Sequence, residues 1–332
     1  MMRLPQHANY EPPHLIMPTE IITPTDEQHW LSLRARDVTS TESAALFGLS
    51  PYLTQFELWH RKRGGLPSSI TQNERMVWGT RLEAAIAHGI AAERGWEIQP
   101  MKEYMRDPDA RIGSSFDFVI TSLGEPAHLE IKNVDYLAFR DGWIEHEDGT
   151  IEAPAHIEMQ VQHQMAVSGF RRAFIGALIG GNRHVVIERE RDEDVIRAIR
   201  HRVAEFWRTV DAGQEPEPVM PDDTEAVIRL HQYAEPGKHL DADDEIERLV
   251  AEYRAAKDAA RDAEAAAETA KARLLAAIGD AERVTGAGWK LTATMIADTP
   301  PTVITPEMVG QTYGGRKGYR SLRITASGPK KR

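Results

Sequence analysis

No cysteine occurs anywhere in the 332 residues. That absence excludes disulfides, thiolate zinc sites, iron–sulfur clusters and a cysteine nucleophile, and it suits a reducing cytoplasm. No apolar run approaches the roughly 18–20 residues that a membrane-spanning helix requires, so no membrane association is expected. The first residues, MMRLPQHANYEPPH, lack the apolar segment of a secretory signal. Positive charge is in deficit as well. Lys and Arg total 40 against 51 Asp and Glu, a net charge of −11. Taken alone, this balance argues against broad non-specific attraction to nucleic acid. The charge is uneven, however: acidic residues crowd the stretch 222–268, whereas the chain closes on Lys330-Lys331-Arg332. A local basic channel therefore stays open.

What remains is an ordinary globular composition, 41% hydrophobic and 27% charged, long enough for one large domain and an appendage. Residues 1–25, rich in proline and polar residues, read as a flexible arm. Helical periodicity starts near Asp26. The segment Arg34 to Ser43 ends in hydroxyls ahead of Ala44, Ala45 and Leu46, which looks like a helix N-terminus. Such an end offers free backbone N–H groups to an anion, although a plain cap is the commoner case. Phe56–Arg63 reads as a helix, and so does Met76–Arg94, where Leu82, Ile86 and Ile90 form one stripe. Glu83 sits at the edge of that stripe; on this helix alone it reads as a solvated glutamate. The stretch Trp96–Met105 reads as a strand, and Tyr136–Thr150 as a polar loop. A helix over Pro154–Ser168 would bring Gln160 and Gln164 close together. Two strands, Ala173–Ile179 and His184–Glu188, precede an amphipathic helix marked by Val195, Ile199, Val203, Phe206 and Val210.

The predicted order is helix, three strands, helix, two strands, helix: an α/β domain over residues 26–213 with a mixed central sheet flanked by helices. A Pro-rich linker is expected over 214–240. Residues 241–279 read as a long Ala-rich helix or coiled-coil arm, because Ile246, Tyr253, Ala260, Ala267 and Leu274 recur every seven residues. Residues 280–332 read as a small β-containing region with a basic tail that includes Arg316, Lys317, Tyr319, Arg320 and Arg323.

The richest stretch is Gly113 to Asn133, GSSFDFVITSLGEPAHLEIKN. Two apolar segments flank a turn with Gly124 and Pro126, the pattern of a hairpin. Residues two apart share a face of a strand, so Glu130 and Lys132 point the same way, and Asp117 on the neighbouring strand can join them. Two carboxylates and an ammonium at one sheet edge suit a hard divalent cation with a water beside it. Asp117 and Glu130 would be metal ligands to Mg²⁺, with Mn²⁺ as the alternative. The Ile131 backbone carbonyl would add a third oxygen. Lys132 would orient the water or, as a neutral amine, serve as a base. An acidic residue followed by E-x-K is common by chance. Here the charges interrupt apolar strands, where they are costly unless paired or bound to a cation.

At this point the chain resembles the YqaJ-type viral recombinase and lambda-exonuclease branch of the PD-(D/E)xK nucleases, over roughly residues 27–212. The resemblance rests on several weak motifs in the right order. These are Arg34 running into Thr39-Ser40-Thr41-Glu42, the segment Trp78-Gly79-Thr80-Arg81-Leu82-Glu83, Arg106-Asp107, Asp117, Glu130-Ile131-Lys132, Gln160-Val161-Gln162 and Val185-Val186-Ile187-Glu188-Arg189. One departure is Phe116, where proline usually precedes the first aspartate.

The resemblance implies a restriction-endonuclease-like core and a metal-dependent 5′–3′ exonuclease acting on linear double-stranded DNA ends. It implies 3′ overhangs for recombination by single-strand annealing, a phage or prophage origin and the cytoplasm of a bacterial host. Glu83 and Gln160 would support the metal or the water beside the catalytic Lys132, and Arg34, Thr41 and Ser43 would hold the DNA 5′ phosphate. A homotrimeric ring and a single-strand annealing protein as partner are implied too. Two further readings share these residues: a structure-specific endonuclease on the same fold, and a non-catalytic DNA-end-binding protein. An intact Asp117, Glu130 and Lys132 argue against the latter.

Overall fold

The computed structural model describes residues 19–67, 74–286 and 289–295. The chain opens with β1 (Glu20–Ile22), α1 (Glu27–Arg36) and β2 (Val38–Thr39), then a 3₁₀ turn (Ser43–Phe47), α2 (Gln55–Arg63) and α3 (Glu74–Arg94). Five strands follow: β3 (Ile98–Pro100), β4 (Tyr104–Asp107), β5 (Ile112–Ser114), β6 (Phe118–Ile120) and β7 (Ala127–Val134). Next come α4 (Tyr136–Gly142), the short pair β8 (Ile144–Glu145) and β9 (Ile151–Glu152), and α5 (Ala155–Ser168). The first unit closes with β10 (Arg172–Ile179), β11 (Arg183–Glu190), α6 (Glu193–Ala212) and α7 (Thr224–Leu230). Side-chain oxygens of Asp26, Thr54 and Asp192 cap α1, α2 and α6 by accepting first-turn N–H groups.

The central sheet runs β11-β10-β7-β6-β3. β7 and β10 are parallel, and every other pair in it is antiparallel. Alternation along β7 assigns its two faces. Leu129 and Ile131 join Ile86 and Ile90 of α3 in one apolar cluster, while His128, Glu130 and Lys132 bond to residues of α5 on the other face. α3 lies so close to the sheet that a Cβ on Gly176 would come within 2.7 Å of Ile90 Cδ1 and force that side chain to shift. The mixed central sheet, with helices packed against it, is the α/β arrangement expected from the sequence.

Four details differ from the sequence expectation. The stretch Trp96–Met105 is not one strand: β3 joins the central sheet, whereas β4 belongs to a second sheet of order β1-β4-β5-β2. Part of the expected N-terminal arm, Glu20–Ile22, is the edge strand of that second sheet, paired with β4; residues 1–18 lie outside the described residues. The expected polar loop holds α4 and the β8–β9 pair. The expected linker holds α7, which packs back onto the domain: Ala226 is buried with Phe56 and Leu66, and Thr54 donates to the buried Asp223. The first compact unit accordingly reaches His231.

The second unit begins at Gln232. Its α8 (Asp244–Ile278) is a single 35-residue helix with no buried residue. β12 (Arg283–Gly286) pairs antiparallel with β13 (Trp289–Thr292). The basic tail lies outside the described residues.

Candidate active site

Glu130 is at the centre of the carboxylate cluster. β7 carries it into the buried space beneath α5, where its side chain is held from three sides. Oε1 accepts from Lys132 Nζ at 2.6 Å and from Gln160 Nε2 at 2.6 Å. Oε2 accepts from Gln164 Nε2 at 2.7 Å. Lys132 Nζ also donates to Gln160 Oε1 at 3.1 Å. One helical turn separates Gln160 from Gln164, so α5 presents two amides to the two oxygens of one carboxylate. Gln164 escaped the site assignment made from sequence, although its four-residue spacing from Gln160 was visible.

Asp117 sits at the entry to β6 rather than within it. The Ile131 N–H donates to its Oδ2 at 2.7 Å, and the Met101 N–H donates to its backbone carbonyl at 3.0 Å. In an extended strand the N–H and C=O of one residue point to the same side. The Ile131 carbonyl therefore faces the side on which Asp117 lies. Glu83, half-buried on α3, completes the group.

The electrostatics of these residues are coupled. Burial and then repulsion from Glu130 hold the Asp117 carboxyl well above the usual carboxylate range. The same two causes, in the same order, raise Glu83. Burial pulls Lys132 down, but the attraction of Glu130 and Asp117 outweighs it and the net shift is upward. The carboxylates thus favour the charged form of Lys132; the neutral-amine base considered from sequence presupposes a bound cation beside it. Three carboxylates share one ammonium, and the buried Oε1 of Gln164 has no hydrogen-bond partner. A divalent cation would relieve that excess of negative charge. The donors present, two carboxylates and a backbone carbonyl, are the hard oxygens that Mg²⁺ takes while retaining several waters. Among the described residues no three His, Asp or Glu side chains cage an ion unaided, so water would supply the remaining ligands.

Lys132 and Gln160 also line a cleft of about 730 Å³ whose other walls include Thr41, Tyr52, Arg75 and His156. Thr41 is exposed, and its hydroxyl accepts from Arg34 Nη2 at 3.3 Å. The Arg34 guanidinium lies 4.6 Å over the Trp30 ring, and the Trp30 indole N–H donates to Ser115 Oγ at 2.8 Å. The corner holding Arg34 is thereby tied to the segment that leads into Asp117. Trp30 and Ser115 carried no motif that marked them. Ser43 departs from expectation: it is fully buried, and its hydroxyl donates to the Ser40 carbonyl at 3.0 Å. The presumed helix N-terminus is a five-residue 3₁₀ turn without a side-chain cap. Beneath it, Lys62 Nζ donates to Glu42 Oε2 at 2.8 Å and to the carbonyls of Arg34 and Asp37. Phe116 stacks on buried His128 at 4.3 Å, which gives that position a packing role.

Compared with known proteins, residues 29–171 match the family of YqaJ-like viral recombinase domains. Uncharacterized protein YqaJ of Bacillus subtilis (strain 168) is 31% identical over 195 residues, which cover 56% of this chain and 57% of that protein. The chain thus spans a little over half the length of this relative. Among solved structures, an alkaline exonuclease from Laribacter hongkongensis is similar at 19% identity, over 56% of this chain and 93% of its own, with a TM-score of 0.44. A phage-related exonuclease from Haemophilus somnus 129PT is similar at 14% identity, over 55% and 97%, with a TM-score of 0.41. Arg34, Thr41, Glu83, Asp117, Glu130, Lys132 and Gln160 all lie within the YqaJ-like segment.

Proposed function

We propose that this protein is a Mg²⁺-dependent exonuclease, with Mn²⁺ as an alternative ion, that degrades one strand of linear duplex DNA from its 5′ end. The 3′ overhangs it leaves would feed recombination by single-strand annealing. The observation that carries the reading is the cluster of Asp117, Glu130, Lys132 and Gln160 at the wall of a cleft that Thr41 also lines.

Asp117, Glu130 and the Ile131 carbonyl would hold the ion, with Glu83 close by. When bound, it would neutralise charge on the scissile phosphate and lower the pKa of a coordinated water. The Ile131 N–H fixes the orientation of Asp117, and the two α5 amides fix Glu130. Lys132 uses two of its three N–H donors on Glu130 and Gln160. The third is free to orient the nucleophilic water or to stabilise charge on the phosphoryl oxygens. Arg34, its plane set by Trp30, would pair with the terminal 5′ phosphate beside the Thr41 hydroxyl. The buried Ser43 would serve that corner only through its packing. A homotrimer and a single-strand annealing partner belong to the same proposal.

Digestion of 5′-labelled and 3′-labelled linear duplex tests it. Early release of the 5′ label, retention of the 3′ label and an intact closed circle are expected. Cutting of the circle would favour a structure-specific endonuclease and sink the exonuclease reading.

A further inference from the structure

The C-terminal ends of α1, α2 and α6 meet around a second hollow of about 780 Å³ that shares no lining residue with the cleft. Five cations line it, against the single carboxylate of Asp211. Helix C-termini attract cations, and this accounts for part of the cluster. Lys62 bonds to carbonyls at the end of α1, and Arg63 Nη1 donates to the Val210 carbonyl at 3.2 Å. Arg106 is bidentate on buried Asp37 at 2.9 and 2.8 Å. Arg36 and Arg111 are left over.

Arg36 is exposed and makes no ion pair among the described residues. Arg111 is held in an unusual way. Its φ is +52°, the left-handed region that an arginine rarely occupies. Its guanidinium lies 3.4 Å from the centre of the Trp207 ring, and the Trp207 indole N–H donates to its carbonyl at 3.1 Å. One tryptophan thus holds both the backbone and the side chain of Arg111. Its partner Asp211 is 62% exposed, and exposed pairs of this kind are weak. Backbone strain of this sort collects at sites of function, and a preorganised planar guanidinium suits a phosphate group.

We propose that this hollow is a contact for the phosphodiester backbone of duplex DNA outside the catalytic cleft, with Arg111 and Arg36 as its phosphate-binding residues; this rests on the DNA substrate proposed above. In a chain of net charge −11, such a patch would supply local attraction that the average charge denies. Arg111 can give up Asp211 to a phosphate without losing its stacking on Trp207.

The test is binding of linear duplex in EDTA, measured by fluorescence anisotropy between about 50 and 200 mM salt. It uses the full chain and its Arg36→Ala/Arg111→Gly variant. Glycine accepts the positive φ, so the fold is retained, and an unchanged melting temperature verifies it. Each lost phosphate contact should reduce the slope of log K against log salt by about 0.9. The double variant should therefore lose about 1.8 from the slope and bind at least tenfold more weakly at low salt. Arg197→Ala, on the exposed face of α6, serves as the charge control and should leave the slope unchanged. An equal slope and affinity in the double variant would overturn the assignment while leaving the nuclease reading intact. Failure of the wild-type chain to bind duplex at all would overturn both.

Discussion

Asp117 shows how chemistry and stability oppose each other in this site. Its carboxyl is raised by burial and by Glu130. A group whose folded pKa exceeds its unfolded value binds more protons when folded, so stability falls as pH rises above the ordinary carboxylate range. At neutral pH without metal, the charged Asp117 is a net cost. Asp117→Asn keeps an acceptor for the Ile131 N–H and removes the charge. We expect this variant to melt above wild type in EDTA, by about 2–4 °C if about 1 kcal/mol is recovered, and to gain nothing from Mg²⁺, which should stabilise the wild type. Equal melting in EDTA would contradict the repulsion. The convergence of Glu130 and Lys132 was legible in the sequence because strand alternation has a period of two. The contacts of Trp30 with Ser115 and of Ser43 with Ser40 were not, because hydroxyl and indole bonds leave no periodic signature.

Among the elements, α5 and β7 decide the geometry. α5 spends Gln160 and Gln164 on Glu130 and buries His163 and Met165 in the core. Gln164→Leu would leave Glu130 Oε2 without its donor while filling a similar volume. Residues that orient a metal ligand typically contribute 10- to 100-fold. We expect nuclease activity to fall by that order, with a higher Mg²⁺ requirement and a circular dichroism spectrum like that of wild type. Unchanged Mg²⁺ dependence would remove Gln164 from the site. The long elements α3, α5, β10, β11 and α6 were readable because each repeats its pattern over many residues. The short ones were not. Trp96–Met105 looks continuous because Trp96, Ile98, Met101, Tyr104 and Met105 recur through it, yet Gln99 pairs with Val119 in one sheet and Met105 with Ser114 in the other. The polar composition of 136–150 concealed α4, whose cap is Asp135.

The scale of the whole molecule corrects the domain boundary. Proline at positions 216, 218 and 221 suggests a linker, but Asp223 accepts from Thr54 and from the Val219 N–H, and Ala226 fills a gap beside Phe56. The contacts of Thr54 with Asp223 and of Phe56 with Ala226 join residues more than 160 positions apart in sequence, beyond the reach of local pattern. A chain ending at 231 should therefore melt several degrees above one ending at 213. Equal melting would return α7 to the linker. The −11 charge is likewise a property of the whole chain that conceals its parts, since the carboxylate cluster and the five-cation hollow lie in the same unit.

The central claim is that the Asp117, Glu130 and Lys132 cluster performs metal-dependent phosphodiester hydrolysis. Its most direct test is the rate of linear duplex degradation by wild type and Lys132→Ala, each with Mg²⁺ and with EDTA. The account predicts degradation by wild type only with Mg²⁺, and a loss on the order of 10²–10³ in the variant, as for removal of one transition-state donor. Degradation that resists EDTA, or that proceeds at the wild-type rate without Lys132, would contradict it.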